Sequence, residues 1–217
     1  MVRVFWEANF AIQIYGMNNQ TIKILKIDSS PRIRNSYSRL LTGKLVQKLT
    51  ELYEHAEVKE RNLANHLPLL SETMIEAMFA NPENLTIERK TILQHSNEVI
   101  NELKESDILV IGAPVHNFGI PASLKAYIDL ATRSGLTFRH EQTGYVGLLK
   151  NKIAWIVVTS GGTPLFSNVD YVSGYLKQIL GFIGISDIYF IDATQIHTKG
   201  EEEIITRAVA DIEKIEL

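Results

Sequence analysis

The chain has 217 residues, with 22 Lys and Arg against 25 Asp and Glu, and a formal net charge of -3. That near-neutral balance argues against a nucleic-acid binder held by phosphate contacts and against a polybasic membrane-surface protein. The absence of cysteine excludes disulfides, thiolate nucleophiles and cysteine-based metal or iron–sulfur centres, and fits a cytoplasmic protein.

Residues 1–16 (MVRVFWEANFAIQIYG) are apolar, but Arg3 and Glu7 interrupt the run, which is too short to span a bilayer. No small-residue cleavage site follows, so a secretory signal is not expected. Residues 1–20 are expected to be an extension outside the core, with Met17 as the natural start and residues 21–217 as a single domain. From Ile22 onward the chain alternates strands and helices. Ile22 to Asp28 is a β-branched run that stops at a Ser-Ser-Pro turn. Leu41, Leu45, Leu49 and Leu52 then repeat at helical spacing. Glu57 to Asn62 reads as a second, more polar strand, and residues 63–82 as a loop with a short helix. Asn84 to Glu105 reads as one long helix. Asp107 to Val115 is the most apolar strand, and Pro121 to Arg133 a helix with Pro in its first turn. Gly135 to Lys150 holds three glycines and reads as an excursion loop or hairpin. Ile153 to Thr159 is another buried strand, Val172 to Ile183 a helical stripe, Asp187 to Asp192 the last strand, and Ile205 to Ile212 the final helix.

Strands alternating with helices imply an α/β fold with a parallel sheet covered on both faces. The expected architecture is a flavodoxin-like three-layer sandwich with a five-stranded parallel sheet of order 2-1-3-4-5. Ligands in such sheets bind beyond the carboxyl ends of the strands, where the strand order reverses. The loops after Asp28, Ile111 and Thr159 are therefore the candidates.

The first loop, SSPRIRNSYS (29–38), clusters serine hydroxyls and two arginines before a helix N-terminus, a site suited to a phosphate. Simple capping by Ser36 would need one serine, not a cluster. The second, APVHNFGIP (113–121), is stiffened by two prolines, and Gly119 is expected to permit an unusual backbone turn. Phe118 could cover a flat ring and Asn117 bond its heteroatoms; equally, Phe118 could be core and Asn117 a turn former. The third, TSGGTP (159–164), holds two consecutive glycines that let backbone N–H groups approach a ligand. One anionic pocket, one flat apolar wall and one rim of backbone donors is the shape that flavin mononucleotide (FMN) needs. Micromolar binding requires about 8 kcal/mol, whereas a charge-assisted hydrogen bond contributes roughly 1.5–3 kcal/mol. Ring burial must therefore add to the phosphate contacts.

The stretches SSPR (29–32), NSYSRL (35–40), APVHNFGIPASLKAYIDLATRSGLTFRH (113–140), VTSGGTP (158–164) and YLKQILGFIGISDI (175–188) resemble the FMN-dependent NADH:quinone oxidoreductases, also called FMN-dependent NADH azoreductases. The resemblance spans nearly everything from Thr21 onward. It implies FMN phosphate on Ser30, Ser36, Tyr37 and Ser38. It implies the isoalloxazine ring against Val115, His116, Asn117 and Phe118, with ring-edge donors at Ser160, Gly161, Gly162 and Thr163. It also implies a homodimer and two-electron ping-pong transfer. NADH or NADPH would deliver hydride to flavin N5, then a quinone or an aromatic azo compound would accept the electrons, with no catalytic side chain. Two departures stand out: His116 replaces the tyrosine usual in that family, and the third loop lacks an arginine often found before its glycines. A non-enzymatic flavodoxin-type electron carrier is the competing class, but it usually has a strongly acidic surface. The six histidines (55, 66, 95, 116, 140, 197) show no metal-like spacing, so no metal is expected. No G-x-S-x-G, Walker or H-E-x-x-H motif occurs.

Overall fold

Three strands set the architecture: β2 (Ile22–Asp28), β4 (Ile108–Pro114) and β7 (Ile153–Thr159). Two of them, β4 and β7, are too apolar to leave either face in water. The computed structural model describes residues 3–4, 21–65 and 67–216. In it β4 is buried along six of its seven positions, as is β7. That pattern requires cover on both faces. Two further strands, β3 (Ala56–Asn62) and β8 (Asp187–Ala193), complete a set of five seven-residue strands. All pair in parallel: Ile24 faces Ile108, Ile108 faces Ile153, and Ile153 faces Asp187.

The order 2-1-3-4-5 does not carry over as written. Along the sheet the order is β3-β2-β4-β7-β8-β1. A two-residue strand β1 (Arg3–Val4) pairs with Tyr189 and Phe190 and adds a sixth member at the β8 edge. The hairpin strands β5 (Phe138–Glu141) and β6 (Gly144–Gly147) stand between β4 and β7 in the chain but form a separate antiparallel pair. Part of the expected extension thus touches the sheet edge; the rest of it, Met17 included, lies outside the described residues.

Helices α1 (Tyr37–Leu52) and α8 (Glu201–Glu213) cover one face. Leu41, Leu45, Leu49, Ile204, Ala208 and Ile212 pack there on Ile24, Val110, Trp155 and Val157. Helices α4 (Gln94–Glu105), α5 (Ala122–Ala131) and α6 (Tyr171–Ile183) cover the other. Val99, Leu103, Leu124, Tyr127, Leu176 and Leu180 meet Leu25, Ile27, Leu109, Ile111 and Ile156. Each fully buried aliphatic side chain contributes roughly 1.5–3 kcal/mol, so these two layers supply most of the folding free energy. Among the described residues no helix is long and apolar enough to cross a membrane.

Two expected elements differ. The single helix over 84–105 is broken into a 3-10 turn (Pro82–Asn84), α3 (Ile87–Ile92) and α4. Leu85 and Thr86 are extended, Thr86 caps α3 through the Arg89 N–H, and Leu93 turns inward to 1% exposure. Local capping and one inward leucine override a continuous periodicity. Pro121 is the N-cap of α5, one residue before its first turn. The loop of residues 63–82 carries the expected short helix, α2 (Glu72–Phe79). Between β8 and α8 a four-residue helix, α7 (Ile196–Lys199), was not expected.

The β5–β6 hairpin is fixed to α6 by Phe138 against Phe182 at 4.7 Å and by Leu149 N–H on Ile183 O at 2.8 Å. Gly147 lies directly against this helix end: a Cβ there would sit 2.2 Å from Gly184 N and 2.4 Å from Ile183 C. Gly147→Ala is therefore expected to destabilise the protein by about 2 kcal/mol or more. Gly43, inside α1 with nothing within 4 Å of such a Cβ, should gain roughly 0.5–1 kcal/mol on conversion to Ala. Urea unfolding of both variants checks the pair; a neutral Gly147→Ala would contradict the packing described.

Candidate functional site

The chain leaves the carboxyl end of β2 at Asp28 and runs through Ser29 to Asn35 into α1. Ser29 and Ser30 are buried. The Ser29 hydroxyl donates to Gly112 O at 2.5 Å, and the Ser123 hydroxyl to Ser29 O at 3.1 Å. Asn35 adopts the left-handed region at φ 54° and turns the chain into the helix. Ser36 is the N-cap, but its side chain makes no capping hydrogen bond; its Oγ lies 3.2 Å from Ser38 Oγ instead. Leu40 N–H bonds Ser36 O at 3.0 Å, while the N–H groups of Tyr37, Ser38 and Arg39 have no partner among the described residues. Helix α6 shows the contrast, because Asp170 caps it by accepting from Val172 N–H at 2.8 Å and Ser173 N–H at 3.1 Å. The start of α1 therefore presents bare donors, two hydroxyls and the positive end of a helix dipole. The Tyr37 phenol keeps its proton to a higher pH than a free one. Its hydrogen bond to Glu201, then burial, then the charge of that carboxylate raise its pKa, and Arg32 opposes them. Tyr37 offers this terminus its N–H.

The loop after β4 is a tight turn. Val115 N–H bonds Thr159 O at 2.8 Å. His116 and Gly119 exchange backbone hydrogen bonds of 2.9 and 3.0 Å. The unusual backbone expected at Gly119 falls on its neighbours, with Asn117 at φ 49° and Phe118 at φ 68°. Positive φ at both central positions is the type I′ form of a two-residue turn between paired residues. Phe118 is 54% exposed, so the alternative that it is core is excluded.

In the loop after β7 the Ser160 hydroxyl is committed, donating to Thr163 O and accepting from Gln195 N–H. Gly161, Gly162 and Thr163 carry N–H groups without a partner among the described residues. Gly161 has a further reason to be glycine. A Cβ on it would stand 2.7 Å from His197 Cδ2, so the imidazole occupies the space a side chain would take. His197 belongs to a fourth wall that the three-loop reading missed. Ile196 N–H bonds Ser160 O at 3.0 Å and His197 N–H bonds Gly161 O at 2.9 Å. Gln195 is held at φ 68° between them and β8. The signal available in sequence was position alone: residues 194–198 follow the carboxyl end of another parallel strand.

These walls enclose a cavity of about 220 Å³. Of the expected site residues, Ser30, Ser36, Tyr37, Ser38, Val115, His116, Ser160 and Gly161 line it. Arg32, Asn35, Pro114, Thr159, Ile196 and His197 complete the lining. Asn117 faces an adjoining open groove of about 960 Å³, with Ile120, Lys125, Asp170, Tyr171 and Tyr175. Phe118, Gly162 and Thr163 line neither space. An uncapped helix start beside Arg32, an apolar Pro114–Val115 wall and the bare Gly161 N–H fit a phosphate tail and a flat heteroaromatic ring, the two ends of FMN.

The family described by a flavodoxin-like fold matches residues 22–215. A Colwellia psychrerythraea protein named FMN-dependent NADH:quinone oxidoreductase 1 is 43% identical over 194 residues, covering 89% of this chain and all of that one. A Cereibacter sphaeroides protein named FMN-dependent NADH:quinone oxidoreductase is 41% identical over 189 residues, 87% of this chain and 96% of its own. The crystal structure of a Bacillus anthracis FMN-dependent NADH-azoreductase in complex with FMN superposes with a TM-score of 0.81 at 27% identity, over 89% of this chain and 97% of that one.

The seating of His197 on Gly161 can be read directly. Gly161→Ala should displace the imidazole and shift its proton–carbon correlation in the NMR spectrum. Gly162→Ala should leave it in place, since the nearest atom to that Cβ is 3.8 Å away. An unmoved His197 signal in Gly161→Ala would contradict the contact.

Proposed function

The chain belongs to the flavodoxin-like family, and on that premise we propose that it is an FMN-dependent NADH:quinone oxidoreductase that also reduces aromatic azo compounds to amines. The observation that carries this reading is the amino terminus of α1. It is left bare by its own N-cap serine and opens into the same cavity as an apolar wall and the unpartnered Gly161 amide. Bound FMN supplies two-electron redox chemistry between NADH and the acceptor.

The protein's part is to hold and to orient. Ser30, Ser36 and Ser38 donate hydroxyls to the phosphate, and the N–H groups of Tyr37 and Ser38 add the helix terminus. Val115 and His116 bound the ring on one side, and Asn117 and Phe118 form its rim toward the groove. The N–H groups of Ser160, Gly161, Gly162 and Thr163 are fixed dipoles that favour negative charge at the ring edge. Ser160 contributes only main chain, because its hydroxyl is already used on both sides. No side chain of this chain is required as an acid or base. The open groove beside His116 receives nicotinamide and then the acceptor in turn, which suits ping-pong order. Tyr171 (64% exposed), on that groove, and Phe118 (54% exposed), in the adjoining turn, supply apolar surface for a homodimer. One flavin-binding domain from residue 21 onward accounts for all of this.

Purified protein should be yellow, and anaerobic NADH should bleach it, with colour restored by a quinone. Failure to bleach refutes the reductase reading, and bleaching too slow to sustain quinone turnover would favour a carrier. Ser36→Ala with Ser38→Ala removes two donors to a charged group, each worth roughly 1.5–3 kcal/mol, so FMN affinity should fall by about 100-fold or more. Unchanged affinity in an equilibrium titration would move the phosphate elsewhere.

A further inference from the structure

Arg39 lies in the first turn of α1 but does not line the cavity. Its side chain is only 15% exposed and spends its donors on the loop behind the helix start. Nε donates to Arg32 O at 2.9 Å. Nη2 donates to Ser30 O at 2.8 Å and to Asn62 Oδ1 at 2.6 Å. Nη1 faces Asp28 Oδ2 at 3.4 Å. One planar group thus ties together the carboxyl end of β2, the carboxyl end of β3 and two carbonyls of the serine-rich loop. Its partners are themselves anchored. Asp28 Oδ1 accepts from Thr42 Oγ1 at 2.8 Å, and Asn62 Oδ1 also accepts from Ala64 N–H at 3.1 Å.

We infer that Arg39 is the positioning residue for phosphate recognition: its guanidinium fixes the Ser30–Arg32 backbone so that the α1 terminus is preset for a phosphate monoester. The inference rests on the FMN reading above and adds a residue that touches no cofactor. Two features make the role geometric. The Arg39 charge is offset by buried Asp28, which also pairs with Lys26 at 3.3 Å, whereas Arg32, on the cavity wall, is the cation placed to meet an anion. Both bonded loop carbonyls, Ser30 O and Arg32 O, are drawn toward the guanidinium, so acceptors that would repel a phosphate are turned into the protein. Ser30 keeps its hydroxyl on the cavity side of that loop, accepting from Arg32 N–H at 3.2 Å. A lysine keeps the charge but cannot span these acceptors, because an ammonium is a point donor without the fork. A loop not held in advance must be ordered when ligand binds, and the affinity for the phosphate end falls by that cost.

The test compares FMN with riboflavin, the same ring without a phosphate, by fluorescence titration of the full-length protein freed of flavin. Arg39→Lys should weaken FMN by about tenfold while riboflavin changes by less than about twofold, collapsing the preference for the phosphorylated ligand. A general loss of structure would weaken both flavins equally. Arg39→Lys with the wild-type preference, or with both ligands weakened alike, overturns the inference. Should that variant fail to fold, Asn62→Ala, which removes one acceptor of the fork, is read in its place. A fall in preference of about threefold supports the inference and an unchanged preference overturns it. Wild-type protein that binds riboflavin as tightly as FMN would instead overturn the phosphate site itself, and wild-type protein that binds neither flavin would overturn the functional reading.

Discussion

Burial of β4 and β7 on both faces is the constraint from which the site follows. A parallel strand covered on each side can be rejoined to its neighbour only through a helix crossing one face. The carboxyl ends of β2, β4, β7 and β8 therefore finish side by side on one edge. The loops that leave them carry backbone groups that cannot be buried unpaired, and they satisfy many of these on one another. Ser29 reaches Gly112 O, Val115 reaches Thr159 O, and Ile196 and His197 reach Ser160 O and Gly161 O. The cavity walls continue the sheet's own hydrogen bonding past its last residues, each wall braced by the next.

Within that frame the site departs from relaxed geometry in particular places. Asn35, Asn117, Phe118 and Gln195 all hold positive φ without being glycine. Such residues cost of order 1–3 kcal/mol each and persist only where the surroundings over-determine them. Here the surroundings do so: the His116–Gly119 pair pins Asn117 and Phe118, and the Ser160 hydroxyl pins Gln195. The two N-termini of α1 and α6 make the same point in another form. Asp170 satisfies α6 internally, while Ser36 and Ser38 turn to each other and leave α1 open. Arg39 and Asp28 hold the open end still from behind. Polar groups turned outward stay available because others, turned inward, are fully engaged.

The runs of β2, β4 and β7 were legible because each is short, rich in β-branched residues and bounded by turn signals. The serine-rich, proline-stiffened and glycine-paired loops were legible because each stands at the end of such a strand, and residues from all three come to one cavity. Their detailed uses were not. Gly119 looked like the turn-maker, yet Asn117 and Phe118 take the strained positions. Gly161 looked like room for a ligand, and it is also room for His197. The Ser160 hydroxyl looked available and is taken by Thr163 and Gln195. The break of the expected 84–105 helix at Leu93 was hidden because α3 and α4 together keep a helical period across it.

What the amino-acid order determined by itself is the alternation of buried strands with amphipathic helices and the chemical character of the loops between them. Both are local properties, set by side-chain polarity at periods of two and 3.6 residues. The tertiary structure alone decided that His197 rests on Gly161, that Arg39 joins Asp28, Ser30, Arg32 and Asn62, and that a hairpin stands outside the parallel order. Those contacts join residues distant in the chain, and no local pattern records which distant partner a hydrogen-bond donor or an empty Cβ position will meet once the strands are side by side.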